Sequence, residues 1–163
     1  MTSRTPDLGH IFAALARASS RPRYAFMVLG LIAEAARADG HAGPWVAAGE
    51  GERMSLRDWL ASQLLPLASR DKRRAALRDK VVGRLGARAT DQEVVEAAVV
   101  EEALAIGKAN VSRAVSDLVR AGLVRRHYAG RVTDHCNRGG RRLAVYAVEP
   151  PVLNAIRSRP TLV

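Results

Sequence analysis

The sequence has few of the features that mark secreted or membrane proteins. Cys136 is the only cysteine, so no disulfide can form within the chain. The first ten residues lack the apolar core of a signal peptide. The longest apolar stretch, from Tyr24 to Ala33, is about ten residues long and contains Gly30, whereas a membrane span needs roughly 20 residues. The sequence therefore predicts a cytoplasmic protein with no membrane partner.

Aromatic residues are also scarce, and alanine and arginine take their place. Aromatics make up 4% of the 163 residues, although 48% of the residues are hydrophobic. A composition rich in alanine and arginine, with few β-branched runs, favours a mainly helical fold. The formal net charge is +10. A charge of this size and sign indicates a polyanionic partner, which is DNA, RNA or an anionic membrane surface.

The positive charge is concentrated in one part of the chain. Residues 108–142 hold nine basic and two acidic residues, a net charge of +7. Upstream, residues 70–88 hold eight basic and two acidic residues, and residues 90–102 hold five acidic residues and no basic one. The upstream pair has two interpretations. Either both are amphipathic helices with solvated faces, or the basic segment contacts DNA backbone or pairs with the acidic segment.

The N-terminal half contains two predicted helices and a glycine-rich segment. Residues 7–18 fit a short helix capped by Asp7. Residues 23–38 fit a longer, buried helix, and Gly40 supplies its stop signal. Residues 39–54 are rich in glycine, which predicts a loop or a short hairpin.

Single side chains support further local predictions in the middle of the chain. Trp45 is expected to fix the glycine-rich segment to the core. Ser55 with Asp58 resembles a capping box at the start of a helix. A basic helix is expected over 70–85, and Thr90 is expected to cap the acidic helix that follows.

Residues 104–128 show the pattern of a turn followed by a helix and a strand. Ile106 lies in the predicted turn, where Gly107 lets the backbone bend. A helix is predicted over 108–121, and Gly122 ends it. The apolar residues of this helix recur at helical spacing on one side; they are Val111, Val115, Leu118 and Val119.

Two strands and a basic loop are predicted after this helix. Residues 123–128 alternate loosely between apolar and basic side chains, and residues 143–148 have strong strand propensity. Residues 129–142 between them are polar and contain glycine. The predicted order is therefore helix, turn, helix, strand, basic loop and strand, in which the loop 129–142 would form a wing.

The stretch NVSRAVSDLVRAGLVRR at residues 110–126 resembles the recognition helix and following strand of MarR-type and related bacterial winged-helix regulators. The resemblance covers about residues 103–148. It implies a mainly α fold with a small β-hairpin wing, a winged helix-turn-helix with additional N-terminal helices. The expected organisation is an N-terminal helical region over 1–89, the winged helix-turn-helix over 90–149, and a C-terminal tail or short helix over 150–163. The surface of a dimer is expected to come from the apolar helices 8–18 and 23–37 or from the segment after Pro150 and Pro151.

Two segments compete for the helix that precedes the recognition helix. RMSLRDWLASQL at residues 53–64 has the appearance of that helix, in which case residues 66–103 are an insertion. Alternatively the helix runs from Glu93 to Ala105, directly before the turn. The second option is preferred because contiguous helices need no insertion. With either option, Tyr24 to Arg37 supplies the first helix of the domain.

The polar side chains of the predicted helix and wing are the candidate DNA contacts. Asn110 matches the donor and acceptor pattern of adenine, and Arg113 matches that of guanine. Asp117 is expected to orient Arg113 or Arg120. The N-terminus of the predicted helix, near Gly107, is expected to bind a phosphate. The recognition-helix candidates are Lys108, Asn110, Ser112, Arg113, Ser116 and Arg120. The wing and strand candidates are Arg125, Arg126, Arg131, Arg138, Arg141 and Arg142.

The sequence thus predicts a sequence-specific regulator of transcription, a repressor that binds double-stranded DNA as a homodimer. The alternatives are a plasmid or phage replication-initiation or partition protein, or a winged helix that binds protein. No enzymatic motif is found, so no enzyme activity and no cofactor are expected. No metal is expected either, because the spacing of His127, Asp134, His135 and Cys136 matches no familiar zinc pattern.

Overall fold

The computed structural model describes residues 6–68, 72–128 and 143–158. Over these ranges the fold is mainly helical with a small antiparallel sheet, as predicted. The candidates Arg131, Arg138, Arg141 and Arg142 of the predicted wing lie outside the described residues. The helices are α1 (Leu8–Ala18), α2 (Pro22–Ala35), α3 (Leu56–Ala68), α4 (Lys72–Leu85), α5 (Gln92–Arg120) and α6 (Pro150–Arg157), with a 3-10 turn at Gly86–Thr90. The strands are β1 (His41–Ala42), β2 (Trp45–Gly49), β3 (Glu52–Ser55), β4 (Val124–Tyr128) and β5 (Ala144–Val148).

The ends of three helices follow the predicted local chemistry. The Asp7 carboxylate accepts a hydrogen bond from the His10 N–H at 3.0 Å and caps α1. The Ser55 hydroxyl accepts one from the Asp58 N–H at 3.3 Å at the start of α3. At the end of α5, Gly122 has a φ of +75°, and the Leu123 N–H donates to the Leu118 carbonyl at 3.0 Å. This last pattern is the glycine-terminated helix end expected from the sequence.

Strands β2 and β3 form a hairpin, one of the two structures predicted for residues 39–54. The predicted role of Trp45 is wrong, because its side chain is 41% exposed and the Arg53 guanidinium lies 4.5 Å above its ring. Alternate residues of a strand point to opposite faces. Val46, the next residue, therefore takes the inward position and packs against the core.

The other three strands form an antiparallel sheet in the order β1-β5-β4. The central strand β5 pairs with β1 through His41 opposite Ala147, and with β4 through Arg126 opposite Tyr146. The strand predicted over 143–148 is thereby confirmed. One face of the sheet is buried through Ala42, Val124, Tyr146 and Val148.

The main hydrophobic core lies between this sheet and the helices. It contains buried residues of α1, α2, α3, the C-terminal part of α5 and α6. From α5 it takes Val111, Ala114, Val115 and Leu118. Val119, predicted on the apolar side, is 37% exposed, because the buried stripe of α5 runs through Ala114 instead.

The turn predicted at Ile106 and Gly107 is wrong, since α5 continues without a break from Gln92 to Arg120. A separate helix over Glu93 to Ala105 is therefore also wrong. A Cβ atom added to Gly107 would lie 3.4 Å from the Ala61 Cβ of α3. The absence of a side chain at Gly107 lets α3 and α5 pack closely where they cross. From sequence alone, a glycine in this role looks the same as a glycine at a bend.

Helix α4 and the N-terminal part of α5 form a helical hairpin, here named the arm (residues 72–107). The arm has its own small core of Val81, Val95 and Val99. Asp91 caps α5 by accepting from the Glu93 N–H at 3.0 Å. Thr90, the predicted cap, instead ends the preceding 3-10 turn.

Ion pairs join the basic helix of the arm to its acidic helix. Arg84 lies 3.2 Å and Lys80 lies 3.7 Å from the carboxylate of Glu102. Arg78 pairs with Glu96 in the same way, six residues earlier in each helix. Of the interpretations open for the segments 70–88 and 90–102, pairing between them is confirmed.

Gly83 offers a test of the arm as a continuous helical hairpin. An added Cβ there meets nothing within 4 Å, and alanine favours a helix over glycine by about 0.5–1 kcal/mol. Gly83→Ala is therefore expected to raise the free energy of unfolding by about that amount. Urea unfolding followed by circular dichroism checks this, and a loss of stability would contradict the helical assignment of α4.

Candidate nucleic-acid interface

The outward face of α5 forms a ridge on the surface of the protein. Because Val111, Val115 and Leu118 are buried on one face, the helical period places Arg113 and Arg120 on the opposite one. Arg113 is exposed and has no ion-pair partner among the described residues. Its guanidinium is therefore free to bind an external acceptor.

Arg120 is partly engaged within the protein. Its guanidinium pairs with the Asp117 carboxylate and donates a hydrogen bond to the Ala18 carbonyl at 3.2 Å. The prediction that Asp117 orients Arg120 is confirmed. Arg120 thus ties α5 to the end of α1, and Asp117 neutralises part of its charge.

The predicted recognition helix does not begin at Lys108, because residues 108–120 are the C-terminal part of α5. Since α5 continues through this region, the amides near Gly107 are not a helix terminus and have no phosphate site. The Lys108 ammonium lies 3.3 Å from the Asp58 carboxylate of α3. Lys108 therefore contributes to the packing of α3 on α5 more than to a surface for ligands.

The connection between α1 and α2 lies along one side of the ridge. A cleft of about 100 Å³ separates it from α5, far smaller than the 300–1,000 Å³ typical of small-molecule sites. Arg17 lies beside Arg120 in a neighbouring, more open groove of about 370 Å³. The residues that line the cleft are Ser19, Ser20, Arg21, Tyr24, Asn110, Arg113, Ala114 and Asp117.

Arg17 and Arg21 were missed by the sequence analysis. The signal was present, because residues 17–23 hold three arginines and two serines and no acidic residue. The Arg21 guanidinium lies 4.5 Å above the Tyr24 ring, which holds it beside the cleft. Burial raises the pKa of Tyr24, and the positive charge of Arg21 opposes that shift.

The other side of the ridge is formed by β4 and the start of α3. The Arg126 guanidinium lies 3.4 Å from the Ser116 hydroxyl, which itself donates to the Ser112 carbonyl at 3.0 Å. Burial raises the pKa of the Tyr146 hydroxyl, and the positive charges of Arg126 and Arg57 oppose that shift. Arg126 lies opposite Tyr146 on the same face of the sheet. Arg57 precedes Asp58, which pairs with Lys108 of α5, and it is a third basic residue that the sequence analysis missed.

Arg125 is not brought to this site. It lies opposite Ala147 in the sheet, whereas Arg126 lies opposite Tyr146, so the two side chains point to opposite faces. The Arg125 guanidinium pairs with Glu149 at 2.9 Å. Strand alternation thus separates two arginines that the sequence analysis placed together.

Tyr146 provides a pH-dependent test of the buried face of the sheet. Because its folded-state pKa is raised, the unfolded chain ionises first, and stability falls as pH rises above about 10. Tyr146→Phe is expected to make that alkaline loss shallower and to change little at pH 7. Urea unfolding at neutral and alkaline pH measures both values, and an identical alkaline loss in wild type and variant would contradict the burial of this hydroxyl.

The described part of the site is a positively charged surface along α5. Arg113 lies on the ridge, Arg17 and Arg21 on one side, and Arg57 and Arg126 on the other. The two nearby carboxylates, Asp58 and Asp117, are each paired with a cation. A surface with this excess of positive charge attracts anions.

No family model, no curated protein and no solved structure matches this chain. Among the described residues, no helix is long and apolar enough to cross a membrane. Within residues 6–68, 72–128 and 143–158, no group of three or more histidine, cysteine or acidic residues is arranged to hold a metal ion.

Proposed function

We propose that this protein is a sequence-specific double-stranded DNA-binding regulator, a repressor that acts from a winged helix-turn-helix. The observation that carries the proposal is the exposed Arg113 on the ridge of α5, with basic residues on both sides. An α-helix has the width of the major groove, about 12 Å. The ridge would lie in that groove, and the arginines beside it would contact phosphates.

The topology supports the winged-helix part of the proposal. Helix α2 precedes β1, helices α3 and α5 follow it, and β4 and β5 complete a sheet in the order β1-β5-β4. Helix α3 packs across α5 at Ala61 and Gly107. In this interpretation α3 precedes the reading helix, residues 108–120 of α5 are the reading helix, and the arm is an insertion between them.

The residues of the ridge divide into two kinds of contact. Arg113 would form paired hydrogen bonds with guanine, and Asn110 and Ser116 lie within the same surface for neighbouring bases or phosphates. Arg17, Arg21, Arg57 and Arg126 would contact phosphates on the two strands beside the groove. Phosphate contacts position the protein, and base contacts select the sequence.

Repression would follow from occupation of a promoter, and a homodimer would bind two half-sites on one face of the duplex. A dimer multiplies specificity because each copy reads its own half-site. The arm takes no part in DNA binding in this proposal, since four of its cations are paired with Glu96 or Glu102; they are Arg74, Arg78, Lys80 and Arg84.

Salt dependence of binding tests which surface contacts the phosphates. Arg21→Ala and Arg126→Ala are each expected to weaken binding to all duplexes and to reduce the slope of log K against log salt by about one. The matched control is Arg84→Ala on the arm, which should leave the slope unchanged. Fluorescence anisotropy over a salt series measures the slopes, and an effect of Arg84→Ala equal to that of Arg21→Ala would contradict the assigned surface.

A further inference from the structure

Helix α2 presents a second face that is directed away from the core. Its inward face buries Ala25, Val28, Leu29 and Ile32. Its outward face contains, at spacings of four, three and four residues, the exposed or half-exposed Arg23, Met27, Gly30 and Glu34. The half-buried Phe26 and Leu31 border this stripe.

The outward stripe of α2 has no partner among the described residues. Met27 is 39% exposed, and a Cβ added to Gly30 would meet nothing within 4 Å. Neither Arg23 nor Glu34 forms an ion pair with another described residue. An apolar centre with an unpaired cation at one end and an unpaired anion at the other is the composition of a small helix-to-helix contact.

The stripe is complementary to itself when two copies run antiparallel. A two-fold axis between positions 28 and 29 places Arg23 opposite Glu34 of the second copy. The same axis places Met27 opposite Gly30 and Phe26 opposite Leu31. A parallel arrangement would instead place Arg23 against Arg23 and Glu34 against Glu34, and like charges in contact are destabilising.

We propose that α2 is a homodimer interface, in which the α2 helices of two copies pair antiparallel about this axis. The contact is isologous, so every interaction occurs twice. Phe12, which is 44% exposed and lies 4.6 Å from the Phe26 ring, extends the apolar area next to the helix. One pair of helices is at the lower end of stable interface sizes, so dimerisation is expected to depend on concentration and to be strengthened by DNA.

The functional role of this dimer rests on the proposed function, because its role would be to present two DNA-binding faces to one duplex. The N-terminus of α2 adjoins the cleft beside α5. Antiparallel pairing places the two Arg23 residues about 16 Å apart along the helix axis, at a rise of 1.5 Å per residue. The two reading helices would therefore lie at opposite ends of the dimer.

Charge reversal followed by a charge swap tests the interface. Arg23→Glu and Glu34→Arg are each expected to raise the dimer dissociation constant by about tenfold or more, because each places like charges together twice. The double variant is expected to recover most of the wild-type affinity. Glu93→Arg, an exposed site on the arm, is the control and should have no effect. A wild-type chain that is monomeric at about 100 μM, or a double variant as dissociated as the single ones in sedimentation equilibrium, would overturn the proposal.

Thiol crosslinking tests the orientation in a background in which Cys136 is replaced by serine. A mixture of the Arg23→Cys and Glu34→Cys chains is expected to crosslink with a short bifunctional maleimide, while neither chain crosslinks alone. Crosslinking of Arg23→Cys with itself would contradict the antiparallel pairing.

DNA binding separates a failure of this inference from a failure of the proposed function. The variant used is Glu34→Arg, because Glu34 lies at the end of α2 away from the cleft. If Glu34→Arg binds a single half-site like wild type but a full palindrome more weakly, both proposals stand. If no chain binds DNA while the charge swap still restores the dimer, the dimer stands and the proposed function fails. If wild type binds a palindrome and Glu34→Arg binds it equally well, the α2 interface fails and the proposed function stands.

Discussion

Arg113→Ala is expected to weaken binding to the preferred duplex by about 5- to 150-fold, which corresponds to about 1–3 kcal/mol for one paired contact with guanine. Arg113 is the exposed cation at the centre of the ridge, and no described residue forms an ion pair with it. Its loss removes a base contact, so discrimination between the preferred and altered duplexes should fall with the affinity. Competition between the two duplexes in an anisotropy assay measures both quantities.

Two matched variants separate this contact from a general loss of charge. Arg113→Lys keeps the charge but not the planar fork of donors, so it should retain non-specific binding and still lose discrimination. Arg84→Ala removes an arginine that is paired with Glu102 on the arm and should bind like wild type. Normal binding of the preferred duplex by Arg113→Ala would show that residues 108–120 do not read the bases.

Gly40→Ala is expected to lower the free energy of unfolding by about 2–4 kcal/mol. Gly40 has a φ of +86°, a conformation that costs other residues about 1–2 kcal/mol. An added Cβ would also lie 2.9 Å from the Val148 carbonyl oxygen. Because the Val148 N–H donates to the Gly40 carbonyl at 3.0 Å, the backbone cannot move away without loosening the contact between β1 and β5.

Gly51→Ala is the matched control for this prediction. Gly51 has a φ of +74°, but an added Cβ there meets nothing within 4 Å. Its replacement should cost only the conformational part, about 1–2 kcal/mol. Urea unfolding of the two variants isolates the contact with Val148. Equal losses would contradict the placement of β1 against β5, and with it the three-stranded sheet on which the winged-helix proposal depends.

Local features of the fold were predictable where the chemistry is local. Asp7 and Ser55 cap helices because their side chains reach amides three residues away. Gly122 ends α5 because the residue that follows the last helical turn adopts a left-handed conformation, which glycine accepts readily. The continuity of α5 through Gly107 was not predictable. This glycine allows close packing against Ala61, and Ala61 is distant in sequence.

The candidate site was predictable only in part, because some of its residues are brought together by contacts between segments that are distant in sequence. Arg113 and Ser116 follow from the buried stripe of their own helix, so periodicity alone places them outward. The basic composition of residues 17–23 marks Arg17 and Arg21 as candidates. Their position beside α5, like that of Arg57, depends on tertiary packing, which no local pattern encodes. Arg125 is instructive, because strand alternation predicts that it and Arg126 point to opposite faces, and the pairing with Glu149 confirms this.

Selection of bound duplexes from a random DNA library at about 150 mM salt tests the central proposal most directly, since non-specific binding weakens steeply with salt. We expect enrichment of a palindrome whose half-sites contain a guanine that is lost from the selection with Arg113→Ala. The spacing of the half-sites would report the distance between the two reading helices. Recovery of unenriched DNA, with binding that disappears as salt rises, would contradict sequence-specific recognition by α5.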